Sequence, residues 1–465
     1  MSPRLSSDEL ATALGARLGG AVRDLRRLSG GASRVTSAFD LETSGDSPRP
    51  LILQMDRSGG APGQAKARLE RGLLDAAGRA GVPVPAVVAA PDPDPDADAD
   101  ADPLGGAWLV VERLEGETIP RKILRDPEWA AARAALTAQC GRALAAVHTI
   151  DPATIEGLPR ADPLRDPLPL LDTLGEVRPA LELGVRWLAA HRPDPDPDST
   201  SPARVTVHGD FRCGNLLVGP DGLRGVLDWE LAHAGDPAED VGWLCAPAWR
   251  FGGPGEVGGF GALADLLAAY EAAGGAPLAP ERVHWWQVYA TAKWAAICAL
   301  QASVHLSGAT RSVELAAIGR RVCESEWDLF VLLGVPPPAD LPEPVAAAGP
   351  LPPFGRPTSG ELVEAVREYV EGLMERDEGA AGFEARVARN ALGIVERELR
   401  LGPSIAAAHA TRLAALGYAD DTALAAALRS GDLDDDWRSV APALAAAARD
   451  QLLVANPSYL PPATA

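Results

Sequence analysis

Lysine is almost missing from this sequence. Of its 43 basic residues only Lys66, Lys122 and Lys293 are lysines, so any chemistry that demands an amine side chain has three candidates. Cysteine is sparse as well. Cys140, Cys213, Cys245, Cys298 and Cys323 stand far apart, with no C-x-x-C pair and no His–Cys cluster at zinc-ligand spacing. That argues against a disulfide framework or a structural zinc site, and the five read as reduced thiols of a cytoplasmic protein. Long apolar runs are lacking too. Met1–Glu9 holds nothing that reads as a secretion signal. The longest apolar stretch, around Trp285–Leu306, is broken by Gln287, Lys293, Gln301 and His305, so no membrane span is expected. Positive charge is short: 64 acidic residues against 43 basic give a net charge of −21. This balance is wrong for a general binder of nucleic acid or anionic membranes, which must neutralise phosphates. There is no Gly-Lys pair, hence no G-x-x-x-x-G-K-[ST] loop, and no G-x-S-x-G elbow. Gly253-Pro-Gly255-Glu-Val-Gly258 spells G-x-G-x-x-G, but a proline sits in its core and no clear strand precedes it.

What is present fits a chain of several domains: 465 residues, 47% hydrophobic. Residues 1–115 alternate a helix (8–18), strands (21–28, 33–41, 50–55), a helix (64–80, closed by Gly81) and two more strands (84–89, 107–114). That is a compact, largely antiparallel α+β lobe. Between its last two strands runs the tract Pro91–Pro103, and a shorter copy spans Pro193–Asp198; together they hold nine aspartates and read as solvated surface insertions. Residues 116–335 are mostly helical around a strand-rich island at 204–229. A linker at 336–357 carries nine prolines in 22 residues and is extended by composition. Over 358–465, Thr358-Ser-Gly-Glu361 makes a capping box, and helical patterns at Leu362–Met374 and Phe383–Leu399 continue into alanine-rich segments, an all-α bundle.

The chemistry concentrates in Val205–Glu230. Leu216–Val218 and Leu223–Leu227 are apolar runs around Gly219-Pro-Asp-Gly222, a hairpin by composition. A hairpin returns the chain to its start, which sets Asp228 beside Asn215, with Asp210 on the loop entering the same hairpin. Three oxygen-bearing side chains converging without a thiol or imidazole cluster suit a hard cation, magnesium. One Asp to orient or deprotonate an attacking hydroxyl, with an Asn five residues later and a second Asp to hold the metal, is the logic of a kinase.

At these residues, His208-Gly-Asp210-x-x-x-x-Asn215 followed by Asp228-Trp-Glu230 and Gly235-Asp236-Pro237-x-x-Asp240, the sequence resembles the aminoglycoside phosphotransferase family. The resemblance covers about residues 20–335. It implies a protein-kinase-like bilobal fold, with an antiparallel-sheet N-lobe, a mostly helical C-lobe and the C-terminal all-α bundle appended. It implies Asp210 as catalytic base, Asn215 and Asp228 as magnesium ligands, and ATP or GTP as phosphoryl donor to a small-molecule hydroxyl. Arg212 can point at the transferred phosphoryl group. His208 holds the loop by hydrogen bonding, and Asp236, Pro237 and Glu239 form a helix N-terminus with a capping-box acid. Glu230 either touches a second ion or lies on the surface.

In the N-lobe the resemblance places nucleotide contacts at the turn Ser29-Gly30-Gly31, at the hinge backbone Glu112–Leu114, and at Glu70, the acid expected to pair with a nucleotide-gripping lysine. That lysine is missing. The strand Leu51-Ile52-Leu53-Gln54-Met55 offers Gln54 in its place, and Arg57 or Arg34 could substitute from another angle. An uncharged Gln54 also motivates a second reading, a pseudokinase that binds nucleotide and acts as a regulatory module. Seven of the eleven tryptophans fall between 229 and 327, where the family builds its acceptor site. Core packing accounts for most of them; Trp286 and Lys293 are the substrate candidates, with Lys293 either meeting an anionic group or reaching solvent. Val226–His233, Ala292-Lys-Trp294 and Ser312–Gly319 are similar to the branch whose kinase-like domain also occurs fused to acyl-CoA dehydrogenases. That implies a hydroxyacyl or hydroxyacyl-CoA acceptor, and self-association or protein contact through the C-terminal helical domain.

Overall fold

The computed structural model describes residues 6–28, 34–45, 47–56, 60–91, 104, 108–160, 177–193, 204–336, 338, 341–346, 356, 358–374 and 380–461. Both aspartate tracts and most of the proline-rich linker lie outside them. The chain forms two compact units. The first comprises Met1–Ala161, Pro195–Cys245 and Trp249–Ala279, and the second Asp162–Asp194, Ala246–Ala248 and Pro280–Ala465.

The first unit opens with helix α1 (Ser7–Leu18), started by a reciprocal box in which Ser6 accepts from the Glu9 N–H and Glu9 accepts from the Ser6 N–H. Five strands follow: β1 (Ala21–Arg27), β2 (Arg34–Glu42), β3 (Arg49–Asp56), β4 (Val87–Ala89) and β5 (Trp108–Glu112). They make one antiparallel sheet in the order β1-β2-β3-β5-β4, with helix α2 (Gly60–Arg79) between β3 and β4 in the chain. Alternation along the central strand β3 divides its work. Leu51 and Leu53 pack with Leu14, Phe39 and Val110 into the core, while Gln54 faces α2. The strand expected at 84–89 is only Val87–Ala89, because Pro83 and Pro85 bring no N–H to a ladder.

The helical part of this unit contains α3 (Pro120–Arg125) and α4 (Ala130–His148). The chain then supplies α5 (Pro179–Ala190) to the second unit and returns at β6 (Val205–Val207), β7 (Leu216–Gly219), β8 (Gly222–Val226) and β9 (His233–Gly235). Helices α6 (Pro237–Cys245) and α7 (Leu263–Ala272) complete it. The expected hairpin is β7/β8, antiparallel with Leu216 opposite Val226, and β6 pairs with β9. Helices α4 and α7 approach closely at Gly141, where a Cβ would stand 2.6 Å from the Leu266 carbonyl oxygen.

Every regular element of the second unit is helical among the described residues: α5, then α8 (Pro280–Leu306), α9 (Val313–Ile318), α10 (Val322–Leu332), α11 (Ser359–Met374), α12 (Ala380–Ala415), α13 (Asp421–Ser430) and α14 (Trp437–Ala455). The Thr358–Glu361 capping box forms as expected, with both reciprocal bonds present. The helix expected at 383–399 runs on to Ala415 with Pro403 inside it. Arg186 and Glu182 of α5 pair with Asp434 and Arg429, tying α5 to the α13 region. No helix among the described residues is long and apolar enough to cross a membrane.

Leu53 is fully buried on the central strand. Leu53→Ala is expected to cost about 2–5 kcal/mol of stability, read as a lower denaturant midpoint at unchanged slope.

Candidate active site

The loop from β6 to β7 is held from behind. Asp240, on α6 and fully buried, accepts hydrogen bonds from the N–H groups of His208 and Gly209, both at 2.8 Å, and meets His148 Nε2 at 3.3 Å. The other His148 nitrogen lies 2.9 Å from the Tyr270 hydroxyl. Burial opposes the charge on Asp240, but His148 and the loop amides outweigh it, and its carboxyl titrates below the ordinary aspartate range. Gly209 sits at φ +78°, and a Cβ there would come within 2.3 Å of the Leu231 carbonyl oxygen, so the turn requires glycine. His208 bonds across the loop mouth: Nδ1 accepts from the Asp210 N–H, and Nε2 donates to the Leu227 carbonyl. Burial lowers its pKa, which keeps the ring neutral in that tautomer.

Asp210 is 8% exposed. Its Oδ1 accepts from Trp243 Nε1 at 2.7 Å and from Arg212 Nε at 2.9 Å; its Oδ2 accepts from Asn215 Nδ2 at 2.6 Å. The Arg212 guanidinium lies 4.6 Å over the Trp249 ring, a cation–π contact that fixes it beside the carboxylate. In this structure Arg212 is therefore engaged with Asp210.

Asn215 and Asp228 are joined as the hairpin predicts: the Leu227 N–H donates to the Asn215 carbonyl at 2.8 Å, and Asp228 follows at φ +66°. Aspartate tolerates this left-handed conformation better than bulkier residues do. Burial, with the neighbouring Glu230 and Asp210 charges, pushes the Asp228 carboxyl up to about 7. Among the described residues no three His, Cys, Asp or Glu side chains form a metal cluster. The oxygen set here is two carboxylates and one amide. Asn215 spends its Nδ2 on the Asp210 carbonyl and carboxylate, while its Oδ1 takes no hydrogen bond from a described residue. A buried carboxylate crowded by like charges and an uncommitted amide oxygen fit magnesium, which takes one or two carboxylates and completes its shell with water and phosphate.

On the sheet side, Gln54 lines a cavity of about 10 Å³ with Arg34, Lys66, Glu70, Trp108 and Leu109. Arg34 opens β2, two residues before Thr36, the partner of Gln54 in the ladder. Its Nη1 bonds Glu70 Oε2 at 2.5 Å and its Nε faces Glu230 Oε2 at 3.7 Å. Glu230 is an exposed residue whose carboxylate faces Arg34 and whose charge acts on Asp228. Burial opposes the Arg34 charge, yet Glu70 and Glu230 outweigh it and raise its pKa. At the expected hinge, the Glu112 and Arg113 N–H groups are spent on the Ala86 and Pro50 carbonyls. Leu114, just beyond the strand, makes no such backbone bond among the described residues. Ser29, Gly30, Gly31 and Arg57 lie outside the described residues.

Trp286 and Lys293 belong to the second unit, on α8. Trp286 is 4% exposed and packs edge-on against Trp285 and Tyr289, a core position, and Lys293 Nζ lies 5.8 Å over the Tyr289 ring. Asp236 caps α6 as expected, accepting from the Ala238 N–H. The Glu239 carboxylate also meets His233 Nε2 at 3.0 Å. Two contributors carry no role in the sequence reading, Asp240 as the anchor of the loop and Trp243 as a donor to Asp210. The only signal for Asp240 is its place in Asp236-Pro-x-x-Asp240; for Trp243 there is none beyond its position on the same helix.

A family model described as "Phosphotransferase enzyme family" matches residues 24–286. A second, a domain of unknown function, matches 375–459. Acyl-CoA dehydrogenase family member 10 of Mus musculus is 41% identical over 69 residues, which is 14% of this chain and 6% of that protein. Family member 11 of Gallus gallus is 39% identical over 67 residues, 14% of this chain and 8% of that protein. This chain therefore spans under a tenth of the length of either relative. A crystal structure from Ralstonia eutropha JMP134, described as an aminoglycoside phosphotransferase, superposes with a TM-score of 0.53 at 20% identity, covering 71% of this chain and 99% of that one. The likeness establishes the kinase-like α+β fold.

Removing the loop's anchor tests this geometry. Asp240→Ala leaves two buried N–H groups without an acceptor, at about 1–3 kcal/mol each. The expected result is a lower melting temperature together with faster amide exchange at 208–210. The carboxylate's contribution is present above the usual aspartate pKa and is lost only as pH falls through the depressed folded value, so it is intact near neutrality.

Proposed function

Because the chain belongs to the phosphotransferase enzyme family, we propose that it moves the γ-phosphoryl group of ATP or GTP onto the hydroxyl of a small molecule, with magnesium as its cofactor. The observation that carries this reading is the convergence of Asp210, Asn215 and Asp228 on one hairpin and its entry loop. Asp210 accepts the proton of the acceptor hydroxyl. As that oxygen bonds to the γ-phosphorus, the bond from phosphorus to the bridging oxygen breaks, and the nucleoside diphosphate leaves with the electron pair. Asn215 and Asp228 would hold magnesium. When bound, the metal neutralises charge on the phosphate oxygens. Trp243 and Asn215 hold the Asp210 carboxylate from its two oxygens, so it is oriented before an acceptor arrives. Arg212 shares Oδ1 with Trp243 and would leave it for the phosphoryl group, where its positive charge counters the developing negative charge. Leu114 offers the hinge backbone group for the base.

The acceptor is proposed to be a hydroxyacyl or hydroxyacyl-CoA compound. The similarity to proteins named acyl-CoA dehydrogenase family members supports this choice over an aminoglycoside. A competing reading is a nucleotide-binding pseudokinase, favoured by the uncharged Gln54 where the family carries a cation.

Release of nucleoside diphosphate with a panel of hydroxyacyl, sugar and aminoglycoside acceptors decides between them. Turnover with a hydroxyacyl acceptor that falls roughly 10²–10⁴-fold in Asp210→Asn is the expected outcome. Tight nucleotide binding without turnover on any acceptor would establish the pseudokinase instead.

A further inference from the structure

We propose that Arg34 is the cation that grips the nucleotide phosphates, in place of the lysine absent from β3, and that Glu70 positions it. This rests on the reading of the chain as a nucleotide-dependent phosphotransferase. The charge has moved one strand sideways, from β3 to the start of the neighbouring β2, and still reaches the same acid on α2.

Four observations converge on Arg34. Its side chain is 11% exposed and that of Glu70 6%. Burying such a pair is expensive and seldom repaid in stability alone, which points to a use for the charge at that spot. The second is geometric: Arg34 and Gln54 line the same small cavity, so the guanidinium lies where a β3 lysine would deliver its amine. The third is the reach of the guanidinium toward the metal side. Its Nε faces Glu230, two residues past Asp228, so one group spans the acid on α2 and the carboxylates after the hairpin. Finally, a guanidinium has five N–H donors in a planar fork, and its shortest contacts to Glu70 and Glu230 are made by Nη1 and Nε. The remaining N–H groups can take phosphate oxygens without giving up Glu70. Gln54, a neutral amide, can add a hydrogen bond but no charge. Lys66 lines the same cavity from α2, is exposed, and is the competing cation.

The test is direct binding of Mg-ATP and of adenosine to the full chain by calorimetry. Adenosine reports the base site and ATP adds the phosphates, so the ratio isolates the phosphate grip. Arg34→Gln is expected to weaken ATP roughly 10- to 100-fold while leaving adenosine unchanged, the loss of one or two charged hydrogen bonds. Arg34→Lys should keep part of the affinity. The double variant Arg34→Gln, Gln54→Lys should recover it by returning the charge to β3. Glu70→Gln should weaken ATP, again without moving adenosine, as befits a residue that acts through Arg34. Four outcomes with the variants overturn the proposal: Arg34→Gln binding ATP as tightly as the native chain, adenosine and ATP weakening in parallel, no recovery in the double variant, or Lys66→Gln alone reproducing the loss. A native chain that binds adenosine but not ATP overturns the phosphate grip and leaves the base site standing. One that binds neither overturns the nucleotide reading with it.

Discussion

The loop from β6 to β7 hangs on one buried carboxylate. Asp240 takes the N–H groups of His208 and Gly209, and these two residues fix where Asp210 begins. A charge in the interior is tolerable only when its lone pairs are filled, and here backbone amides and His148 fill them. The order of dependence runs from there. Helix α6 places Asp240, Asp240 sets the turn at Gly209, and the turn aims Asp210 at the mouth of the β7/β8 hairpin. The same helix adds Trp243 as a donor to Asp210, so position and orientation of that carboxylate come from one element.

The sheet uses a comparable economy. In β3, alternate residues serve different masters: Leu51 and Leu53 close the core while Gln54 turns to α2. Because neighbouring strands run in fixed register, a side chain at the start of β2 can stand in for one on β3. Arg34 and Gln54 lie on adjacent strands, two positions apart in the ladder. The Arg34–Glu70 pair also couples sheet to helix, which makes the acid on α2 part of the first unit's internal bracing as well as of its polar cleft.

Much of this was legible from local chemistry. The Gly219-Pro-Asp-Gly222 turn between two apolar runs announced the hairpin, and with it the meeting of Asn215 and Asp228. Helix α1, the first three strands and the Thr358 cap followed from caps and period because their determinants lie within a few residues. What escaped depends on contacts far apart in the chain. Nothing in the sequence says that Trp243, 33 residues after Asp210, donates to it, or that Asp240 reaches back 32 residues to the loop. The Arg34–Glu70 pair escaped for the same reason, since only packing against α2 shows where Arg34 points.

With Arg34 in the proposed role, a guanidinium in place of an amine changes the reactivity of the cleft as well as its geometry. A lysine held against an acid is a latent nucleophile, open to acylation by activated thioesters or anhydrides whenever its proton leaves. An arginine keeps its proton across the whole working range of pH and does not react this way. In the cavity bounded by Gln54 and Glu70 the buried cation is therefore chemically inert, and among the described lining residues the only amine is that of the exposed Lys66.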